Sequence, residues 1–400
     1  MFSIVSNMLN QTFNPKSLFS IISNDDIGKY QLGNDKMSIM TSITSISYEV
    51  SQHDFSFVHI GKRIINKKEV YSTDNVNEYF AIKKLNHTLK RIYQIKHSNR
   101  NEILKQFIDI VNDGSEYQII RADIKDFFGE IRRKSLIDKI KMDSLLGSLM
   151  IKKINRLDEF LTSNKCKGLP RGLSISSTLS ELYLRDFDYR MKTHPCVYFY
   201  ARYVDDIIVV CLSNVEEVEL VLKSSLNEIG LNVNEKYQVL RSVKAVAEFD
   251  YLGVKFKFNN GEIQRLLSSN KIKSIKSRII RSILDYRKNN DDNLLINRIK
   301  FLSSNYRIYT NTESNNLRAG IYYNNQFINE YQQLNELNEF LRKSITSKRG
   351  SLSKITKLIP SHVVSECMKQ SFFYGYINKS NVSFSNSKIS EIVECWKYGK

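Results

Sequence analysis

The chain of 400 residues has 60 Lys and Arg against 42 Asp and Glu, a formal net charge of +18 that predicts a polyanionic partner. No apolar run approaches the roughly 20 residues that a spanning helix needs, and Met1–Asn7 shows no secretory signal, so nucleic acid is favoured over a membrane as that partner. Five separated cysteines without a CxxC pair argue against a zinc site or a disulfide framework and predict a cytoplasmic protein.

The predicted elements begin after residues 1–75, which contain no recognisable motif. Apolar residues then recur at helical spacing from Tyr79 to Val111, and a buried strand is predicted over Tyr117–Ala122. Further helices are predicted in three places: through Phe127, Ile131 and Ile137, over Ser174–Phe187, and over Val215–Ile229.

Two β-branched and aromatic runs, Val197–Arg202 and Ile207–Leu212, predict a tight β-hairpin with Asp205 and Asp206 at its tip. The apolar flanks would draw this acidic pair towards a buried sheet, where unscreened carboxylates repel each other and lose hydration. They would then need a cation, and oxygen ligands favour a hard ion such as Mg²⁺. The hairpin therefore predicts metal-dependent phosphoryl transfer.

After the hairpin we expect a strand following Gly230, another strand over Phe249–Phe258, and mainly helices from Ser268 onward. Isoleucines at 272, 275, 279 and 283 form one apolar stripe on the first of these helices. Its other faces are basic and are either solvated or in contact with nucleic-acid phosphates. The candidate residues are Lys271, Lys273, Lys276, Arg278 and Arg281.

A third acid, Asp123, closes the strand predicted to begin at Tyr117. Alone it would be interpreted as a helix N-cap. Together with Asp205 and Asp206, it gives one acid on a central strand and two on a neighbouring hairpin. Such a set can hold two metal ions roughly 3.5–4 Å apart and clamp the attacking and leaving oxygens of a phosphoryl transfer.

Between these acids lies the loop Gly168-Leu-Pro-Arg-Gly172, which leads into a helix that contains Ser176. Gly and Pro force a turn, and the second Gly lets the backbone approach a ligand. In this order the motifs make the chain resemble the reverse transcriptase family over roughly residues 80–260. The motifs are Asp123 with Phe127-Phe128, the Gly168–Gly172 loop with Ser176, Tyr203-Val-Asp-Asp206, Gly230-Leu-Asn-Val-Asn-Glu-Lys236, and the primer-grip-like Phe249-Asp-Tyr-Leu-Gly253.

The resemblance implies an α/β (α+β) right-hand polymerase, with fingers and a ferredoxin-like palm over residues 1–260 and a mostly helical thumb and C-terminal region over 261–400. It implies attack of a primer 3′-hydroxyl on the α-phosphate of a dNTP, directed by an RNA template. Asp123 and Asp205 would be the main metal ligands, the carbonyl of Ile124 would add a contact on the triphosphate side, and Asp206 would support the metals. Two Mg²⁺ ions, or Mn²⁺, would be the cofactors.

The resemblance also implies nucleotide-binding residues, and each of them has a simpler interpretation. Lys236 would neutralise or protonate the leaving group, or be only a solvated lysine. Phe128 would exclude a 2′-hydroxyl, or only pack in the core. Arg91 and Arg100 would contact the triphosphate from the fingers, or be solvated helix charges. Two further residues lie in the loop: Arg171 and Gly172.

Two departures from the family pattern place the chain more narrowly. Arg171 stands where most retroelement enzymes have Gln, and Ser177 stands where they have Pro. With the helix that follows, this resembles the bacterial defence-associated reverse transcriptases of the abortive-infection and "unknown group" type, which implies antiviral (antiphage) defence. The implied partners are an RNA template, the DNA product, dNTPs, and a non-coding RNA or a partner defence protein, and oligomerisation stays open.

Three other hypotheses stay open. The same site could perform template-independent or protein-primed DNA synthesis, with a tyrosine or serine hydroxyl as the primer. A nucleic-acid-binding defence sensor with little catalysis belongs to a different class, and the intact three-acid set argues against it. An RNA-dependent RNA polymerase is the weaker enzymatic alternative, because such enzymes favour a small or polar group near the sugar and usually have Gly before the two Asp.

Overall fold

The computed structural model describes residues 10–308 and 317–397, so Met1–Asn7 lies outside the described residues. The helices are α1 Pro15–Phe19, α2 Asn24–Tyr30, α3 Lys36–Ser51, α4 Val76–Ile92, α5 Arg100–Val111, α6 Phe127–Glu130, α7 Arg133–Met142, α8 Ser148–Ser163, α9 Ile175–Tyr183, α10 Arg185–Lys192, α11 Val215–Glu228, α12 Ser269–Asn289, α13 Asp292–Ser303, α14 Gln332–Ile345, α15 Gly350–Thr356, α16 Ser361–Met368, α17 Phe372–Ile377 and α18 Asn386–Lys397. The strands are β1 Gly61–Ile65, β2 Lys68–Ser72, β3 Gln118–Asp123, β4 Val197–Tyr203, β5 Asp206–Cys211, β6 Gln238–Leu240, β7 Ala247–Tyr251, β8 Val254–Asn259, β9 Glu262–Leu267, β10 Asn305–Ile308, β11 Leu317–Gly320 and β12 Asn381–Val382. These elements confirm the predicted mixed α/β class.

The chain divides into two compact units. Among the described residues, the first unit comprises 10–103 and 116–242, and the second comprises 104–115, 243–308 and 317–397. Each unit has its own hydrophobic core. The assignment of fingers, palm and thumb to parts of the chain stays a prediction.

The first unit is built around a four-stranded antiparallel sheet in the order β4-β5-β3-β6. Its centre is β5, whose Ile207–Cys211 side chains are all fully buried, as expected of a strand covered on both faces. The adjacent central strand β3 is also buried over most of its length. The predicted strands are confirmed as β3, β4 and β5. The acids lie at one edge of this sheet, because β3 ends at Asp123 and β5 begins at Asp206.

Several predicted elements are interrupted in the structure. The helical segment from Tyr79 to Val111 forms α4 and α5, and the segment Ser174–Phe187 forms α9 and the start of α10. The helix through Phe127 stops because Ile131 has extended backbone, with φ −64° and ψ 124°. The predicted strand over Phe249–Phe258 is the hairpin β7–β8, because Leu252 and Gly253 form a two-residue turn with positive φ.

The region before residue 76, where the sequence showed no motif, contains α1–α3 and the two-stranded β1–β2 hairpin. Buried side chains such as Phe13, Leu18 and Ile43 join these helices to the core of the first unit. Polar caps define their starts: in α2, Ser23 and Asp26 form a capping box. The first unit therefore includes an N-terminal layer that hydrophobic periodicity did not predict.

In the second unit, α12 bears the predicted apolar stripe. Ile279 and Ile283 are fully buried in the core of this unit, and Ile272 and Ile275 pack against it half-buried. The helix begins at an N-cap serine, Ser268, whose hydroxyl accepts a bond from the Lys271 amide. Within the described residues, every helix is too short or too polar to span a bilayer.

A buried lysine on α4 gives the first unit a pH-dependent stability. Lys84 is 2% exposed, and its ammonium donates to the Asn10 carbonyl at 2.7 Å. Burial, with a smaller effect from Arg91, lowers the pKa of Lys84 to about 8. Because the unfolded chain retains this proton up to about pH 10.5, the free energy of unfolding should rise with pH between these two values.

We expect Lys84→Met to remove that rise. Denaturant titrations of both proteins at pH 7.5 and 9.5 test this, since all other titrating groups are shared. Parallel pH profiles for the two proteins would contradict the assignment.

Candidate active site

The ends of the central strands bring the three predicted acids together. Asp123 is the last residue of β3, and in the antiparallel register it lies directly opposite Asp206, the first residue of β5. Asp205 lies in the turn between β4 and β5, and its carbonyl accepts a 3.0 Å hydrogen bond from the Ile124 amide. The N-cap interpretation of Asp123 is wrong, because the N-cap of α6 is Asp126.

Asp123 is buried, and its carboxylate faces two residues of the segment after α11. The Asn234 side-chain amide donates to Asp123 Oδ1, and the Asn234 backbone amide donates to the Asp123 carbonyl at 2.8 Å. The Lys236 ammonium lies 3.3 Å from Asp123 Oδ2. The segment predicted to lie near the incoming triphosphate is therefore bonded directly to the first acid.

A buried arginine, Arg121, neutralises part of this acidic cluster. Its Nη2 lies 2.7 Å from Asp206 Oδ1 and 3.6 Å from Asp123 Oδ2, and its Nη1 donates to the Lys236 carbonyl at 2.9 Å. Arg121 and Asp123 are two residues apart in a strand, so they lie on the same face of the sheet. The site thus contains an internal cation beside its carboxylates.

Burial and like charge both act against ionisation of the hairpin acids. Burial raises the pKa of the Asp205 carboxyl, and the charge of Asp123 raises it further. Burial raises the pKa of Asp206 to about 6; Arg121 opposes this effect, whereas Asp123 and Asp205 add to it. A divalent cation would relieve both costs, so the donor set fits a hard metal ion.

The carboxylates are not already arranged as ligands around one point. Among the described residues, no three His, Cys, Asp or Glu side chains form a group that could hold a metal ion. The reason is visible in their partners, because Asp206 is turned towards Arg121 and Asp123 towards Asn234 and Lys236. Metal binding would require these pairs to rearrange.

The Gly168–Gly172 loop is fixed against the backbone that follows Asp123. The Leu169 amide donates to the Phe128 carbonyl at 2.7 Å, and a Cβ at Gly168 would lie 2.0 Å from that same oxygen. Arg133 supports the loop from α7 by donating to the carbonyls of Cys166 and Gly168 while it pairs with Asp158. Only a glycine at 168, with φ +62°, permits this contact.

Arg171 lies over the predicted sugar-selecting residue. Its guanidinium carbon is 5.3 Å from the centroid of the Phe128 ring, and its Nη2 lies 2.8 Å from Asp126 Oδ1. Phe127 is buried in the core, whereas Phe128 is half-buried. The two rings nevertheless lie 5.2 Å apart at an interplanar angle of 56°, and the partly accessible one lies beside Arg171.

The other end of the loop contacts the β1–β2 hairpin. The Tyr71 amide donates to the Arg171 carbonyl at 2.7 Å, and a Cβ at Gly172 would lie 2.5 Å from the Tyr71 carbonyl. Gly172 has φ +97°. The hairpin itself exposes Lys62, Arg63 and two isoleucines, Ile64 and Ile65.

The remaining candidates are dispersed. Arg100 is half-buried at the start of α5, where burial lowers its pKa and Tyr203 opposes that effect. Arg91 faces solvent in the last turn of α4, and no contact among the described residues joins it to the three acids. On α12 in the second unit, Lys273 is exposed, and the other four candidates contact their own unit: Lys271 meets Asn324 and Asn325, Lys276 meets Phe340, and Arg278 and Arg281 meet Trp396.

Residues 67–256 match the family described as "Reverse transcriptase (RNA-dependent DNA polymerase)". The chain thus contains a segment similar to a reverse transcriptase domain. The match includes the three acids, the Gly168–Gly172 loop and Lys236. No curated protein sequence is significantly similar to the chain.

Among solved structures, the chain is similar to telomerases from two Candida species. The Candida albicans telomerase in complex with a TWJ fragment of telomeric RNA is 12% identical over 86% of this chain and 63% of that one, with a TM-score of 0.39. A truncated apo telomerase from Candida tropicalis is 14% identical over 46% of this chain and 44% of that one, with a TM-score of 0.33. This chain thus spans between 44% and 63% of the length of these telomerases.

Four residues that contact the candidate site were not predicted from the sequence: Arg121, Asn234, Arg133, and Arg202, whose Nη1 donates to the Val204 carbonyl in the turn before Asp205. Arg121 and Arg202 could have been noticed, because each is a charged residue inside an apolar strand and such residues are seldom buried without a partner. Asn234 and Arg133 lie in polar segments, where nothing distinguishes them from solvated residues.

Proposed function

We propose that this enzyme synthesises DNA from dNTPs on an RNA template at the site formed by Asp123, Asp205 and Asp206. The observation that supports this most directly is the β3–β5 register, which sets Asp123 opposite Asp206 beside the turn that contains Asp205. The loop with Arg171 and Phe128 lies after the same strand within the same unit. The candidate residues for the phosphates and for the sugar thus belong to one compact unit.

In the proposed mechanism, Asp123 and Asp205 would hold two Mg²⁺ ions, or Mn²⁺, with support from Asp206, and the ions would supply charge neutralisation at the reacting phosphate. Lys236 leaves its contact with Asp123 to meet the departing pyrophosphate. Arg121 keeps Asp206 oriented at the edge of the cluster. Phe128 faces the sugar and excludes a 2′-hydroxyl, and Arg171 lies beside it. Catalysis then consists mainly of positioning and charge compensation.

Primer extension on an RNA template, with and without a DNA primer, tests this proposal. Primer-dependent DNA complementary to the template supports templated synthesis. DNA that remains linked to the protein after denaturation would instead support protein-primed synthesis by the same site. A complete lack of dNTP incorporation under both conditions would contradict the proposed activity.

Phe128 provides a test of sugar selection. We expect Phe128→Ala to reduce the preference for dNTPs over rNTPs by roughly 10- to 100-fold, because a clash with the 2′-hydroxyl would be removed. Competition between the two nucleotide types in single-nucleotide extension measures this ratio. Tyr189→Ala, which truncates a 70% exposed ring of the same unit, is the matched control. An unchanged ratio would assign Phe128 to packing only.

We further propose a role in antiphage defence, supported by Arg171 and Ser177 at the positions where most relatives have Gln and Pro. The partners would be a template RNA and a non-coding RNA or a second defence protein, with cytoplasmic action. Sequencing the nucleic acid that co-purifies with the protein would identify the template. Equal phage protection by the parent and an Asp205→Asn variant would contradict a catalytic role in defence.

A further inference from the structure

We propose that Arg202 is a positioning residue that fixes the backbone of the turn containing Asp205. Arg202 is the residue of β4 before Tyr203 and is 5% exposed. The expected loss of kcat rests on the proposed polymerase function, whereas the restraint on the turn rests on the contacts of Arg202 alone.

The turn has an unfavourable backbone conformation at Val204, where φ is +59°. Because Tyr203 pairs with Asp206, Val204 and Asp205 are the two central residues of a tight hairpin turn. When the first central residue of such a turn has positive φ, it is usually glycine. A β-branched residue is strained there, and it persists only if its surroundings hold it.

Arg202 supplies that restraint directly. Its Nη1 donates to the Val204 carbonyl at 2.8 Å, across the turn that Arg202 itself precedes. Loss of this bond would let the strained peptide relax, and the neighbouring carboxylate of Asp205 would move with it. A displacement of about 1 Å in a reacting group is enough to reduce a rate about 100-fold.

The orientation of the Arg202 guanidinium is itself fixed by its other hydrogen bonds. Its Nε donates to Asp188 at 2.9 Å, and its Nη2 donates to Asp188 at 2.7 Å and to Glu181 at 2.6 Å. Nη1 also donates to Glu181 at 3.2 Å, so all five N–H groups have an acceptor. Tyr200 fixes Asp188 by a further bond of 2.6 Å.

These partners explain why a lysine cannot replace Arg202. An ammonium has three donors and no planar fork, so it cannot reproduce the five hydrogen bonds that Arg202 makes to Asp188, Glu181 and the Val204 carbonyl. Glu181 lies on α9 and Asp188 on α10, and α9 follows the Gly168–Gly172 loop. One guanidinium therefore ties the metal-binding turn to the helix that begins beside the nucleotide loop.

A double-mutant cycle distinguishes this role from a plain buried ion pair. Glycine adopts positive φ without strain, so a turn with Gly at 204 needs no restraint. We compare the parent, Arg202→Lys, Val204→Gly and the double variant by kcat and KM for dNTP in primer extension. Mn²⁺ affinity by calorimetry and melting by circular dichroism accompany each measurement. Arg190→Lys, which alters an exposed ion pair between Arg190 on α10 and Glu228 on α11, is the control.

We expect Arg202→Lys to lower kcat about 100-fold with KM within about threefold, and to weaken Mn²⁺ binding about tenfold. In the Val204→Gly background the same substitution should cost at most about tenfold in kcat. An equal loss in both backgrounds, or no loss in either, would overturn the inference. If Arg202→Lys does not fold, Glu181→Gln replaces it in the same cycle under the same criterion.

The experiment also separates an error in the positioning role of Arg202 from an error in the proposed polymerase function. A parent protein that extends no primer contradicts polymerase activity, and the cycle is then judged by Mn²⁺ affinity alone. A tenfold weakening by Arg202→Lys that Val204→Gly reverses still supports the positioning role. Additive effects on Mn²⁺ affinity would overturn it.

Discussion

Asp205→Asn is expected to reduce primer extension by about a thousandfold or more without unfolding the protein. The substitution removes one of the two main carboxylates from the proposed metal site, which supplies several kcal/mol of charge stabilisation, and about 1.4 kcal/mol corresponds to a tenfold change in rate. Asn has nearly the same shape, and burial with the charge of Asp123 already disfavours the ionised form of Asp205. Single-turnover extension and thermal melting measure the two parts of this expectation.

The matched control is Asp186→Asn on α10. Its carboxylate is 78% exposed and pairs with Lys139 at 2.6 Å, so the same chemical change should leave the rate within about twofold of the parent. Retention of more than a tenth of the parent rate by Asp205→Asn would remove Asp205 from the catalytic set.

Gly168→Ala is expected to lower the extension rate about 100-fold or more and to destabilise the first unit. The added methyl carbon would lie 2.0 Å from the Phe128 carbonyl and 2.5 Å from the Gly129 carbonyl, and both are backbone atoms that cannot swing aside. The loop must therefore move away from Phe128 by about 1 Å, and Arg171 moves with it. Extension kinetics with KM for dNTP, together with urea unfolding, test the effect.

Gly261→Ala separates this clash from the cost of positive φ. Gly261 has φ +89°, comparable with the +62° of Gly168, but a Cβ there would meet nothing within 4 Å. Both variants incur backbone strain of about 1 kcal/mol, and only Gly168→Ala adds the clash. Equal activities for the two variants would show that the loop can leave Phe128 without harm.

The acids were predictable because the evidence for them is local. Asp205 and Asp206 follow an aromatic and β-branched run and precede a continuous apolar one, and such runs favour buried strands. Asp123 ends a similar run. Their order around the Gly168–Gly172 loop then indicated the reverse transcriptase family. Continuous apolar runs were sufficient to predict β3, β4 and β5, and helical periodicity was sufficient for the buried stripe of α12.

The partners of the acids were not predictable, since they depend on pairing between distant parts of the chain. Arg121 and Asp206 are 85 residues apart, and Asn234 and Asp123 are 111 apart. Their contact follows from strand register, which no local pattern specifies. The phosphate contacts expected of the basic residues on α12 stay a prediction. Four of these residues contact aromatic rings or carbonyl groups inside their own unit.

Arg121 and Lys236 place positive charge beside the carboxylates without any metal ion. In domains whose anionic ligands have no such compensation, binding of the metal and folding are one event. Because a guanidinium and an ammonium here offset part of the carboxylate repulsion, we expect the first unit to fold without the ion. Under the proposed mechanism, withdrawal of the ion would stop turnover and leave a folded protein that resumes activity when the ion returns.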